Sequence, residues 1–138
     1  MHQTVATLTF DTPGRGLHEI TDDIADWLAS AEIRTGLLTV FCQHTSASLL
    51  INENAAPAVK RDLLRWLDDA APEGERYEHD DEGPDDMPAH IKAMLTGNSL
   101  TIPVSEGRMM LGTWQGIYLA EHRRRPHKRR VVVHVIGD

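Results

Sequence analysis

Polar and apolar residues alternate over residues 3–10, and similar patterns return in the last third of the chain. Alternation predicts a strand, because successive side chains of a strand point to opposite faces. Apolar or alternating runs predict further strands over 36–42, 49–51, 99–104, 108–111, 113–121 and 131–136. The last run is apolar at nearly every position, which predicts a strand in the middle of a sheet.

Helical spacing of apolar residues predicts two main helices and one short helix. The first is expected over 17–30, where acidic residues occupy the opposite side, and the second ends near residue 70. The short helix is expected over 88–96, because Pro88 opens it and Gly97 follows its end. This order of elements predicts a single α+β domain, residues 1–138, with an antiparallel or mixed sheet.

Composition and charge exclude several classes of protein. A chain of 138 residues with one cysteine is expected to form one domain without an intrachain disulfide, and Cys42 is predicted to be a small buried apolar residue. The net charge of −7 argues against a nucleic-acid partner. No apolar run approaches the ~20 residues of a membrane span, and the N-terminus lacks the pattern of a secretory signal. A cytoplasmic protein is therefore expected.

Eight histidines are many for this length, and three of them lie in polar segments. His44 follows a predicted strand, His79 lies in an acidic loop expected over 71–86, and His90 lies in the short helix. Three imidazoles could hold zinc and leave a fourth position open, as catalytic sites require. The spacing contains no tight histidine pair, so an exposed loop residue and an ordinary helix residue are equally open interpretations of His79 and His90.

Two further polar features allow more than one interpretation. Glu53 follows a strand and could either cap the next helix or act as a base at the strand end. Residues 123–130 contain six cations. This basic run allows three interpretations: a solvated hairpin turn, a site for a phosphate group, or a contact with the acidic loop of a neighbouring subunit.

Three stretches of the sequence resemble signatures of one family. The block Gly-Thr-Trp-Gln at 112–115 is the most specific of them. With the other matching segments, it makes the chain similar to the YjbQ family (UPF0047), also labelled a secondary thiamine-phosphate synthase family. The matching segments are 41–48 with 51–55, 77–79 with 82–83 and 85–92, and 99–107 with 111–117 and Glu121.

The resemblance implies an α+β fold that assembles as a homotrimer, with a pocket able to hold a divalent metal, zinc or magnesium. His44, His79 and His90 fall on the matching positions. The implied activity is a weak thiamine-phosphate synthase reaction, in which a pyrimidine diphosphate joins a thiazole phosphate and diphosphate leaves. Family members often carry a Gly-Pro-Arg type turn after the position of Glu121, and this chain has a different sequence there.

Two functions from different classes are consistent with these observations. The first is a metal-dependent enzyme acting on a small phosphorylated substrate. The second is a non-catalytic trimeric protein that binds a metal or a phosphorylated metabolite. In the first, Glu53 is the candidate base, and the candidate substrate-binding residues are Thr45, Ser46, Ser48, Gln115 and Glu121.

Overall fold

The computed structural model describes residues 1–74 and 77–138, which contain three helices and eight strands. The helices are α1 (Thr21–Ala31), α2 (Pro57–Ala70) and α3 (Asp86–Thr96). The strands are β1 (His2–Thr12), β2 (Gly16–Glu19), β3 (Gly36–Cys42), β4 (Ala47–Glu53), β5 (Ser99–Ser105), β6 (Arg108–Met109), β7 (Gln115–Glu121) and β8 (His127–Gly137). No helix within these described ranges is both long enough and apolar enough to cross a bilayer. The single-domain α+β prediction is confirmed.

The strands form two antiparallel sheets, where the sequence had suggested a single sheet. The larger has the order β1-β8-β3-β5-β6, and the smaller has the order β2-β7-β4. β8 lies between β1 and β3, as its continuous apolar run predicted, and its residues Val131, Val133 and Val135 are fully buried. Cys42 is buried, as predicted.

β7 is covered on both sides, which explains its apolar sequence. Ile117 and Leu119 belong to the main core between the two sheets and α1, whereas Tyr118 and Ala120 pack with Leu63 of α2. The smaller sheet therefore lies between the larger sheet and α2. Its central strand ends at Glu121, next to the start of β4.

Three predicted boundaries were wrong, each because tertiary contacts overrode a local pattern. The first helix does not begin at Leu17, since Gly16–Glu19 pairs with β7 as a strand. The basic run 123–130 is not one turn, because its second half belongs to β8 and pairs with β1. The predicted loop 71–86 is one residue too long, because Asp86 is the first residue of α3. Residues 75 and 76 of this predicted loop lie outside the described part of the chain.

Candidate metal centre

α3 places an acid and a histidine on one side of its first turn. Asp86 and His90 are four residues apart, a spacing that brings side chains together on a helix. The Asp86 carboxylate is 1% exposed, and its Oδ2 lies 3.2 Å from His90 Nε2. A carboxylate in the first turn of a helix is also favoured by the helix dipole.

The loop before α3 brings a second imidazole to the same oxygen. His79 Nε2 lies 2.7 Å from Asp86 Oδ2, and the rings of His79 and His90 are 5.6 Å apart between centroids. This hydrogen bond, with the nearby acidic charges, raises the pKa of His79 above its usual range. Burial raises the pKa of Asp86, but the His79 hydrogen bond and the charges of His90 and Arg123 outweigh burial and hold its pKa below the usual range.

The orientation of His90 is fixed by a backbone carbonyl. His90 Nδ1 lies 2.8 Å from the carbonyl oxygen of Thr45, which can only accept, so Nδ1 carries a proton and donates it. In neutral His90 the lone pair is then on Nε2, and it faces the Asp86 carboxylate. Two acceptors at 3.2 Å need a cation between them, either a proton on Nε2 or a metal ion.

Donor spacing is compatible with a metal ion. One ligand atom each from His79, Asp86 and His90 can be chosen so that all lie within 4.8 Å of one another. Zinc binds such nitrogen and oxygen atoms at about 2.0–2.2 Å, which places neighbouring ligands of a tetrahedral site roughly 3.3–3.6 Å apart. The His90–Asp86 separation is already close to that range, and the shorter His79–Asp86 contact would lengthen slightly.

Arg123 holds the acidic segment in place. Its Nη1 donates to Asp86 Oδ1 at 2.7 Å, its Nε donates to Asp85 Oδ2 at 3.1 Å, and its Nη2 donates to the carbonyl of Glu82 at 2.9 Å. The backbone N–H of Arg124 adds a bond to Asp85 at 2.9 Å. Asp86 thus presents one oxygen to Arg123 and the other to the two imidazoles.

His44 does not join this group. Within the described residues, the closely spaced donors are those of His79, Asp86 and His90. His44 and His90 line a cavity of about 230 Å³, together with Thr45. His44 Nε2 accepts a hydrogen bond from the backbone N–H of Arg130 at 2.8 Å, and burial, followed by the charges of Arg129 and Arg130, lowers the pKa of His44. Neutral His44 is therefore a polar residue of the cavity wall. The third closely spaced donor beside His79 and His90 is Asp86.

Glu53 and Gln115 lie at the far end of the smaller sheet. They pair with each other across β4 and β7, whereas Ala47 and Glu121 pair at the end near the metal centre. Six residues of strand separate the two ends, or about 20 Å. Glu53 Oε2 accepts the backbone N–H groups of residues 55 and 56, which fixes the turn that leads into α2. Gln115 Oε1 accepts the N–H of Gly112. A single chain does not bring either residue to the histidines.

The remaining candidate residues form the framework behind the cavity. Glu121 is completely buried, and Arg129 binds both of its carboxylate oxygens. Arg129 Nη2 also donates to Ser46 Oγ at 3.0 Å. Thr45 is exposed and lines the cavity, whereas Ser46 is partly buried and Ser48 is fully buried.

Ser48 belongs to a buried chain of hydrogen bonds with a defined direction. Thr96 Oγ1 donates to the carbonyl of Lys92, so it accepts from Ser48, and Ser48 in turn accepts from His122 Nε2. His122 is therefore a donor to Ser48 and not its base. Burial, and next the charge of Lys92, lowers the pKa of His122 to about 4. This chain ties the end of α3 to the two strands beside the metal centre.

The sequence reasoning missed Asp86 and Arg123. The signal for Asp86 was its spacing of four residues from His90, which was hidden because the helix was expected to begin at Pro88. Arg123 was noticed only as part of a basic run, and its role depends on tertiary contacts with residues nearly forty positions away.

A family model and two related sequences place the chain in the same protein family. The family model for UPF0047 protein YjbQ-like matches residues 6–138. The chain is 50% identical to a UPF0047 protein of Synechocystis sp. over 138 residues, 99% of this chain and 92% of the relative. It is 47% identical to UPF0047 protein YjbQ of Escherichia coli O157:H7 over 133 residues, 96% of each chain.

Solved structures agree on the fold. A conserved protein of the YjbQ/UPF0047 family from Clostridium acetobutylicum is 38% identical and superposes with a TM-score of 0.82, covering 96% of this chain and 99% of that chain. A YbjQ-like protein from Sulfolobus solfataricus superposes with a TM-score of 0.89 at 24% identity, covering 99% of this chain and 100% of that chain. The second likeness concerns the fold alone.

Proposed function

The chain belongs to the YjbQ-like family, UPF0047, and we propose that it is a metal-dependent enzyme acting on a small phosphorylated substrate. The observation that carries this proposal is the contact between His90 Nε2 and Asp86 Oδ2 at 3.2 Å, which joins two acceptors when His90 is neutral and its Nδ1 donates to Thr45. His90, Asp86 and His79 would hold a divalent cation, which would satisfy both acceptors. The proposal includes a weak thiamine-phosphate synthase reaction.

Zinc is the metal that this donor set fits best. Two imidazoles and one carboxylate suit zinc, whereas magnesium prefers oxygen ligands. A bound divalent ion would neutralise charge on a leaving diphosphate or lower the pKa of a bound water.

The chain's own residues would position both the ligands and the substrate. The Thr45 carbonyl orients His90, and Arg123 orients Asp86. The cavity of about 230 Å³ beside His90 offers the Thr45 hydroxyl and neutral His44 as polar contacts. A separate cavity of about 600 Å³ near Asp81 is bordered by Arg125, whose guanidinium group could bind a phosphate group.

Self-association is part of the proposal, and the outer face of the larger sheet supports it. Cross-strand pairs Leu37–Ile136 and Phe41–Val132 place apolar side chains side by side on this face. Leu37 and Phe41 are 43% and 40% exposed. An apolar sheet face of this kind is typical of a contact between subunits, and a homotrimer is the assembly we propose.

The position of Glu53 favours a second candidate function. Glu53 lies about 20 Å along β4 from Ala47, at the end of the strand away from the metal centre, and its carboxylate fixes the turn before α2. One chain therefore lacks the base proposed for it, which favours a trimeric protein that binds a metal or phosphorylated metabolite without turnover.

The experiment combines metal analysis with a turnover assay. Purified protein and the variants His79→Ala, His90→Ala and Asp86→Asn are analysed for bound metal. The control is His2→Ala, at the exposed start of β1, where His2 pairs with Gly137. We expect metal binding to be lost in the three variants and kept in the control. Thiamine-phosphate formation that disappears with a chelator supports the enzyme; bound metal without turnover on phosphorylated substrates favours the binding protein. Normal metal stoichiometry in all three variants contradicts both.

A further inference from the structure

A second charged cavity lies on the other side of α3 from the metal centre. It has a volume of about 250 Å³ and is lined by the charged residues Arg15, Asp68, Glu73, Lys92 and Arg124. None of the three proposed metal ligands borders it. Lys92 and His90 are two residues apart on α3, which turns their side chains about 200° away from each other.

Positive charge exceeds negative charge in this cavity. Lys92 Nζ donates to Asp68 Oδ1 at 2.7 Å, and Arg15 Nη1 approaches the same oxygen at 3.4 Å. Arg15 also lies 3.6 Å from Glu73, which is bound by Arg124. Both carboxylates are therefore shared between two cations, and among the described residues that line the cavity three cations face two anions.

The cations also have hydrogen-bond donors to spare. Lys92 is 2% exposed, and in the described part of the chain its ammonium group has one acceptor, Asp68. A buried ammonium group with three N–H donors is costly unless the donors find acceptors. Within residues 1–74 and 77–138, Arg15 contacts the two carboxylates at long distances only, which leaves most of its guanidinium N–H groups able to bind a further acceptor.

We propose that this cavity binds a tetrahedral oxyanion, either inorganic phosphate or the phosphate group of a small phosphorylated molecule. Two guanidinium groups and an ammonium group supply donors suited to phosphate oxygens. A dianion would reverse the excess of positive charge and give Lys92 further acceptors. This site does not depend on the metal centre proposed above, because the two share no metal ligand.

The alternative is an ion-pair network that stabilises the contact between α2 and α3 and binds nothing. The two interpretations differ in a measurable property. Loss of Arg15 from a purely structural network would change stability but not phosphate affinity, whereas loss of Arg15 from a binding site would weaken phosphate binding directly.

The test is calorimetric titration of the full chain with inorganic phosphate in the presence of a chelator. The variants are Arg15→Gln and Lys92→Met, and Arg61→Gln is the matched control, since Arg61 is an exposed arginine of α2. We expect each site variant to weaken binding by about tenfold to a hundredfold, as loss of a charge-assisted hydrogen bond does, and the control to change it less than twofold. Arg15 is a third exposed, so its variant tests the site even if Lys92→Met does not fold.

Three results would overturn the proposal. They are no phosphate binding by the unmodified chain, unchanged affinity in Arg15→Gln, and loss of binding in His90→Ala under the same chelating conditions. A parallel titration with glycerol 3-phosphate identifies the source of the anion. Tighter binding of the monoester than of phosphate indicates a phosphorylated molecule, and equal or weaker binding indicates the free ion, with the site supported in either case.

Discussion

Replacing Arg129 with methionine is expected to destabilise the protein severely, because it leaves a buried carboxylate without its cation. Glu121 has no exposed surface and accepts hydrogen bonds from Arg129, from Thr12 Oγ1 at 2.6 Å and from the N–H of Arg123 at 3.1 Å. Methionine keeps most of the volume of the arginine stem and removes its charge. The variant therefore isolates the electrostatic part of the interaction.

The expected loss is about 3–5 kcal/mol at pH 7, the range for removing one partner of a buried ion pair. Domains of this size unfold with a free energy of roughly 5–15 kcal/mol, so the loss is a large part of the total. Arg129 also donates to Ser46, which precedes β4 and adjoins Thr45. We therefore expect the position of the Thr45 carbonyl, and with it the orientation of His90, to loosen.

The loss should depend on pH in a defined direction. Burial raises the pKa of Glu121, but the hydrogen bonds from Arg129 and Thr12 outweigh it and hold that pKa below the usual range. A depressed folded-state pKa stabilises the fold above the unfolded value of about 4.3, and this stabilisation is lost as the pH falls through the folded pKa. Without Arg129, burial raises the pKa of Glu121. The difference between the variant and the parent should thus shrink as the pH falls through the raised pKa of Glu121 in the variant.

Urea unfolding at fixed protein concentration, at pH 7 and again near pH 4.5, measures these quantities. The control is Arg130→Met, the exposed neighbouring arginine, which should stay within about 0.5 kcal/mol of the parent. A loss below about 1 kcal/mol for Arg129→Met, or an equal loss for the control, would refute this reasoning.

Three other predictions concern the metal centre and the open sheet face. In chelator-treated protein, the Asp86 hydrogen bond raises the pKa of His79, so the NMR titration midpoint of His79 should lie above about 6.5 and should fall in Asp86→Asn. The contribution of protonated His79 to folding stability is present below about pH 6.5 and is lost as the pH rises through the folded-state pKa. Arg123→Gln should weaken zinc binding about tenfold to a hundredfold in a competition titration, because it releases Asp86; unchanged affinity would contradict its positioning role. Phe41→Glu should dissociate the proposed homotrimer in sedimentation, whereas Trp66→Glu, on the opposite side of the core, should not. An oligomeric state that Phe41→Glu leaves unchanged would exclude that face as the contact.

The fold was predictable wherever one local pattern matched one environment. The apolar run 131–136 predicted the central position of β8, because both of its edges and one face are covered. The start of α1 was not predictable, because Leu17 fits a helical pattern and is held in a strand only by pairing with β7. The same limit applies to residues 127–130, whose charges suggested a turn although they pair with β1.

The candidate site was predictable in part for a similar reason. His79 and His90 were identified from their polar surroundings and from the family resemblance. Asp86 was missed because the helix was expected to begin at Pro88, which hid its spacing of four residues from His90. Arg123 takes its role from contacts across the fold that no short spacing encodes. Glu53 and Gln115 were grouped with the histidines, but β4 and β7 place them at the opposite end of the smaller sheet.

Anomalous diffraction at the zinc absorption edge, from crystals grown with zinc, tests the metal centre most directly. We predict one strong peak per chain within about 2.0–2.2 Å of the nearest nitrogens of His79 and His90 and of an Asp86 oxygen. The peak should be absent in crystals of Asp86→Asn grown in the same way. A peak bound by His44 in place of Asp86, or no peak between the two imidazoles, would contradict the account.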